Sequence, residues 1–148
     1  MNIKSNKGIT LVALAVTVAI LAILAYTCVS IGVNLTGTAK FTNVETYMLL
    51  IRSKCETVVN AYAIGEKEEN ELYGTLQSSG DMAGLYQLSQ TELNAMGVKE
   101  AKAPDYYVQY EKDSEGKVIG VQDVIYEPGV ENSGEMYHKL TEMLKVED

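Results

Sequence analysis

Few side chains in this 148-residue chain have the types and spacing that chemistry needs. His138 is the only histidine, so there is no zinc-ligand pattern, no Ser-His-Asp set and no Cys-His pair in a recognisable context. His138 is expected on the surface of a final helix. Two cysteines stand at Cys28 and Cys55. On one continuous helix they would lie roughly 40 Å apart, far beyond disulfide reach. Cys55 therefore reads as a small apolar core residue. The acidic pair Glu68-Glu69 reads as solvated. Asp113-Ser114-Glu115-Gly116 lacks EF-hand spacing and reads as a turn, not a calcium site. Glycine-rich phosphate loops are absent. The residues point away from an enzyme, and no cofactor or metal is expected.

Composition narrows the partners. Formal net charge is −8, from 20 acidic and 12 basic residues. Losing Lys4 and Lys7 would take it to −10. An acidic body does not bind nucleic acid by neutralising phosphates, and Lys99 with Lys102 is the nearest approach to a basic cluster. No nucleic-acid contact is expected.

The strongest pattern lies at the N-terminus. Lys4 and Lys7 form a basic head, Gly8 follows, and Ile9 to Ala39 carries no charge. The most apolar part runs from Leu11 to Val29, without a polar face. As a helix, Ile9 to Ile31 would span roughly 34 Å, enough for a hydrocarbon core of about 30 Å. The run is too long for an ordinary secretory signal, and Ala25-Tyr26-Thr27 before Cys28 makes a poor lipoprotein box. Lys4 and Lys7 would hold the N-terminus in the cytoplasm, with the C-terminal domain outside.

The junction Lys7-Gly8-Ile9-Thr10-Leu11-Val12, running straight into an apolar helix, resembles the leader and first helix of type IV pilins and pseudopilins. The resemblance is close over about thirty residues and general beyond them. It implies cleavage between Gly8 and Ile9 by a prepilin peptidase, and an N-methylated Ile9. It further implies a subunit of a pilus-like or pseudopilus filament. Its partners would be membrane lipid and, through the N-terminal helix, other pilin-like subunits. The setting would be the bacterial cytoplasmic membrane, then an extracellular filament. Adhesion, motility, secretion and DNA uptake all use such fibres. One departure matters: the family's glutamate at the fifth mature position is replaced by Ala13, which favours a minor or tip subunit. The disulfide that closes the C-terminal loop of many pilins is also missing. The alternative is a single-pass anchored extracellular binding module that does not polymerise.

These residues require elements to position them. Phe41, Val44, Met48, Ile51, Cys55, Val58 and Tyr62 recur at steps of three and four, one stripe of an amphipathic helix. Lys40, Glu45, Arg52, Lys54 and Glu56 are expected on its other faces. The stripe suits packing on the chain's own sheet rather than a coiled coil, since only about three heptads are present. Gly32 and Gly37, with Asn34, Thr36 and Thr38, mark either a place to bend or a simple membrane-exit linker. Gly65 ends the helix, and 73–84 is loop-like. Leu85 to Met96 reads as a short helix with Ser89 as N-cap, Glu92 completing a capping box, Gly97 closing it, and Leu88, Leu93 and Met96 buried. Tyr106 to Glu111 and Val118 to Tyr126 read as a hairpin, with Gly120 at a bulge and Pro104 and Pro128 bracketing the pair. A third strand is expected near Tyr73 to Leu76 or near Val98. Gly134 to Val146 has helical spacing through Met136, Leu140, Met143 and Leu144. The ten tyrosines are expected as sheet residues with their hydroxyls in water.

The expected fold is α+β and pilin-like: a long N-terminal helix on a small antiparallel sheet, with a short C-terminal helix. Its parts are a leader (1–8), a transmembrane helix (9–31), the outer half of the long helix (32–64) and an extracellular head (65–148).

Overall fold

The computed structural model describes residues 10–25 and 38–146 in full, and residues 3–9 and 26–37 by their backbone alone. Two compact units are present, Met1–Thr38 and Ala39–Asp148. Helix α1 covers Ile3–Ala63.

In the second unit, α1 packs on a five-stranded antiparallel sheet of order β1-β2-β3-β4-β5. The strands are β1 (Thr75–Leu76), β2 (Tyr86–Gln87), β3 (Tyr106–Lys112), β4 (Val118–Asn132) and β5 (Glu135–Lys139). Helix α2 (Gln90–Ala95) stands between β2 and β3, and α3 (Leu140–Val146) follows β5. The fold is α+β, and every neighbouring pair of strands is antiparallel.

The stripe decides how α1 sits. Phe41, Val44, Met48, Ile51, Cys55 and Val58 are buried, and Tyr62 is half-buried against the same cluster. They meet Tyr106, Val108 and Tyr110 of β3 and Val118, Val121, Val124 and Val130 of β4. Alternate residues of a strand share one face, which is why β3 contributes every second residue. Glu45 corrects the sequence expectation: it is buried rather than on an outer face. It follows Phe41 by four residues, so it lies within the width of the apolar stripe. Arg52 and Glu56 do lie outside, paired at 3.0 Å across one helical turn.

The Ser89 capping box forms. The Ser89 hydroxyl accepts from the Glu92 N–H, and the Glu92 carboxylate accepts from the Ser89 N–H. Leu88, Leu93 and Met96 are buried, and Gly97 has φ +87°. The helix is shorter than expected because the cap starts it at Gln90. Tyr86 and Gln87 instead pair with Val108 and Tyr107 as β2. The third strand falls at Thr75–Leu76; Val98 is buried but in no strand.

The β3–β4 hairpin turns at Asp113, whose Oδ1 accepts from the N–H groups of Glu115 and Lys117, both at 2.9 Å. Its irregularities lie beside Gly120 rather than on it. Gly120 pairs with Glu111, while Ile119 and Gln122 are the extra residues. Pro128 does not end β4 either. Ile125 pairs with Lys139 and Val130 with Tyr137, so residues 126–129 of β4 stand opposite His138 alone. Proline lacks an N–H and is tolerated in such a bulge, so the strand runs on to Asn132.

The C-terminal region departs most from expectation. Residues 135–139 are β5, not helix, and only 140–146 are helical. Ser133 (φ 53°) and Gly134 (φ 85°) form the two-residue connection from β4, both in the positive-φ conformation that matches strand twist. The run of Met136, Leu140, Met143 and Leu144 mimics a helical period because a strand feeds straight into a helix. Leu140 and Met143 are buried, while Met136 is exposed.

Candidate assembly helix and the surfaces of the head

The residues of interest in the first unit fall in two groups. Lys4, Lys7, Gly8, Ile9, Cys28, Gly32 and Gly37 lie outside the fully described residues. Residues 10–25 lie within them. Leu11, Val12, Leu14, Val16, Val18, Ile20, Leu21, Ile23 and Leu24 are all exposed, from 52% to 67%. At 100° per residue these positions cover the whole circumference, so the segment has no polar side to turn to water. Each such side chain gains about 1.5–3 kcal/mol on full burial. Even half of that over nine residues is comparable with the net stability of a domain, about 5–15 kcal/mol. The surface requires lipid or another apolar body against it.

The local hydrogen bonding fits that demand. Thr17 Oγ1 donates to the Ala13 carbonyl at 2.8 Å, so its hydroxyl is satisfied by its own helix. Ala13 itself contributes only a methyl group. Among the described residues no helix is long and apolar enough to cross a membrane. The fully described stretch 10–25 is by itself roughly 24 Å long.

In the second unit the groups with chemical potential are tied down. Cys55 is fully buried, and burial pushes its thiol up to about 12, so it stays protonated and is no nucleophile. Its neighbour Tyr110 donates its hydroxyl to the Tyr73 carbonyl at 2.7 Å; burial and then the adjacent Cys55 push that phenol upward. Tyr106 is raised mainly by burial, with Tyr126 and Asp105 adding to it. Tyr106, Tyr107 and Tyr110 are all buried, which corrects the expectation that the sheet tyrosines keep their hydroxyls in water. The rings of Tyr106 and Tyr110 fill the core, while Tyr107 lies on the other face of β3; Tyr86 and Tyr110 meet edge-to-face at 4.9 Å.

His138 is on β5, not on a helix. Its Nδ1 lies 3.0 Å from the Glu127 carbonyl and 3.3 Å from that of Tyr126. Carbonyls only accept, so Nδ1 carries a proton and donates. The Pro128-Gly129 bulge wraps the ring closely: a Cβ on Gly129 would stand 2.6 Å from His138 Cε1. His138, Lys139, Glu127, Asp81, Met82 and Ile125 line a cleft of about 360 Å³. It sets both charge signs around an apolar floor and pairs no nucleophile with a base. Among the described residues no group of three or more His, Cys, Asp or Glu is placed to hold a metal ion.

One buried carboxylate escaped the sequence analysis. Asp123 is 5% exposed. Its Oδ2 accepts from the Thr141 hydroxyl at 2.7 Å and its Oδ1 from the Thr141 N–H at 3.2 Å. It caps the first turn of α3 from a strand 18 residues earlier, so local sequence carries no signal of it. Glu92 also does more than its capping box shows: its Oε2 accepts from the Gly74 N–H and ties α2 to the start of β1.

Comparison of the chain with models of known protein families, with curated proteins and with solved structures found no match.

Proposed function

We propose that this chain is a structural subunit of a type IV pilus-like or pseudopilus filament, held in the bacterial cytoplasmic membrane by its N-terminal helix before assembly. One observation carries the proposal. An all-round apolar helical segment follows Lys7-Gly8, and the same helix, α1, supplies the stripe that grips the sheet. The mechanism is physical. The apolar segment exchanges lipid for the helices of sibling subunits, and its surface stays out of water throughout. The acidic head coats the fibre and keeps it soluble.

Ala13 supports a minor or tip position. A carboxylate in hydrocarbon is costly without a partner, and a filament can use such a pair to set register. This chain brings no carboxylate to that position. It joins a fibre through apolar packing alone.

The test is the mass of the native protein. Cleavage predicts a chain that begins at methylated Ile9, and Gly8→Leu should leave the leader in place with the peptidase present. If parent and variant both begin at Met1 or Asn2, the filament reading fails and a tethered binding module takes its place.

A further inference from the structure

We infer that two heads associate through antiparallel β5–β5 pairing about a two-fold axis at Tyr137. β5 is the last strand in the sheet order, and β4 occupies one of its sides. A strand edge of this kind presents backbone N–H and C=O groups as a template for another strand. Glu135, Met136, His138 and Lys139 are exposed, and Tyr137 is half-buried.

The side chains choose the occupant and the direction. β5 reads Glu-Met-Tyr-His-Lys. Laid antiparallel on itself with all five residues overlapping, it sets Glu135 opposite Lys139 at both ends. Met136 then faces His138 twice, and Tyr137 faces Tyr137. Opposite charges directly across a strand pair attract, and like charges repel. A parallel pairing would set Glu135 beside Glu135 and Lys139 beside Lys139. The register of full overlap is thus also the register of charge complementarity. The flanks agree with these limits: the Ser133-Gly134 turn ends β5 on one side and α3 ends it on the other. The interface is isologous, so it makes pairs and stops. Five residues a side bury less than the roughly 1,200 Å² of a stable complex. The pairing works among copies concentrated in one membrane or one fibre, where each encounter is nearly intramolecular. It rests on the membrane anchoring proposed above but needs neither leader cleavage nor polymerisation, so a failed cleavage test leaves it standing.

Cross-linking of the full-length protein in its native membrane tests it. Paired Cα atoms in an antiparallel ladder lie about 4.5–5.5 Å apart, within disulfide range. Tyr137→Cys should therefore give an oxidised dimer at least about tenfold faster than Ser114→Cys at the tip of the β3–β4 turn, with the parent as the background for Cys28 and Cys55. Charge reversal supplies a second readout, compared within one background so that the lost Tyr137 contact with Phe41 is common to every arm. In the Tyr137→Cys background, Glu135→Lys or Lys139→Glu alone should slow the dimer about tenfold. Co-expressing the two single variants should restore it as the mixed dimer, since each then meets its opposite. Equal rates for the Tyr137→Cys and Ser114→Cys variants, or charge reversals without effect on the rate, would overturn the inference.

Discussion

At the scale of single residues, the buried thiol and phenols of the second unit serve its structure. Cys55 and Tyr110 illustrate this, because both hold their protons more tightly folded than unfolded. Stability from them is complete below their ordinary values of 9.0 for the thiol and 10.0 for the phenol. It falls as pH rises past those values, where the unfolded chain ionises and the folded chain does not. Thermal midpoints should be level from about pH 7 to 8 and drop steeply above about pH 9. Tyr110→Phe should flatten that alkaline slope. At neutral pH it should cost about 1–3 kcal/mol, because the Tyr73 carbonyl loses its donor. An unchanged slope would mean that other groups control the alkaline limb. His138 is on the surface as expected, but on a strand rather than a helix, with its ring seated against a bulge shaped by Pro128 and Gly129.

At the scale of elements, the parts that could be read from the sequence were those specified by near neighbours. The Ser89–Glu92 capping box and the stripe from Phe41 to Tyr62 are local patterns with fixed periods. β2 and β5 were missed for the opposite reason. Two to five residues show no reliable alternation; β2 is satisfied by distant β3, and β5 by β4 across a tight turn. The Ser133-Gly134 turn was the available signal for β5, but the helical spacing of Met136 to Leu144 masked it. α3 is fastened from outside itself as well. Asp123→Ala should remove its cap and leave the Thr141 hydroxyl and N–H without their acceptor. We expect a loss of about 1–3 kcal/mol by denaturant titration and earlier hydrogen exchange in 140–146. Exchange rates in α3 equal to those of the parent would show that Leu140 and Met143 suffice to hold it.

At the scale of the molecule, the chain joins two parts with opposite solvent needs. Residues 10–25 of the first unit expose apolar side chains on every face; the second unit encloses its apolar residues between α1 and the sheet and carries the acidic charge. An apolar surface on every side of 10–25 favours an apolar neighbour, and lipid is the one we propose. Ile20→Arg tests this directly. A charge near the middle of an inserted helix costs about 2.5–3.5 kcal/mol, and it should shift the protein from the membrane fraction towards the soluble or degraded pool. The same change at exposed Gln122 should leave fractionation unaltered. Equal partition of the two variants would place the apolar segment somewhere other than lipid.

The sequence by itself determined the apolar N-terminal run, the gripping stripe, the β3–β4 hairpin and the α+β class. Each follows from periodicity or from the total absence of charge, which need no knowledge of the rest of the chain. Tertiary structure alone decided the inward place of Glu45, the burial of Tyr106 and Tyr110, the pairing of β2, and the Asp123 cap on α3. Those depend on which distant backbone or side chain arrives within about 3 Å, and hydrogen bonds are that short-ranged.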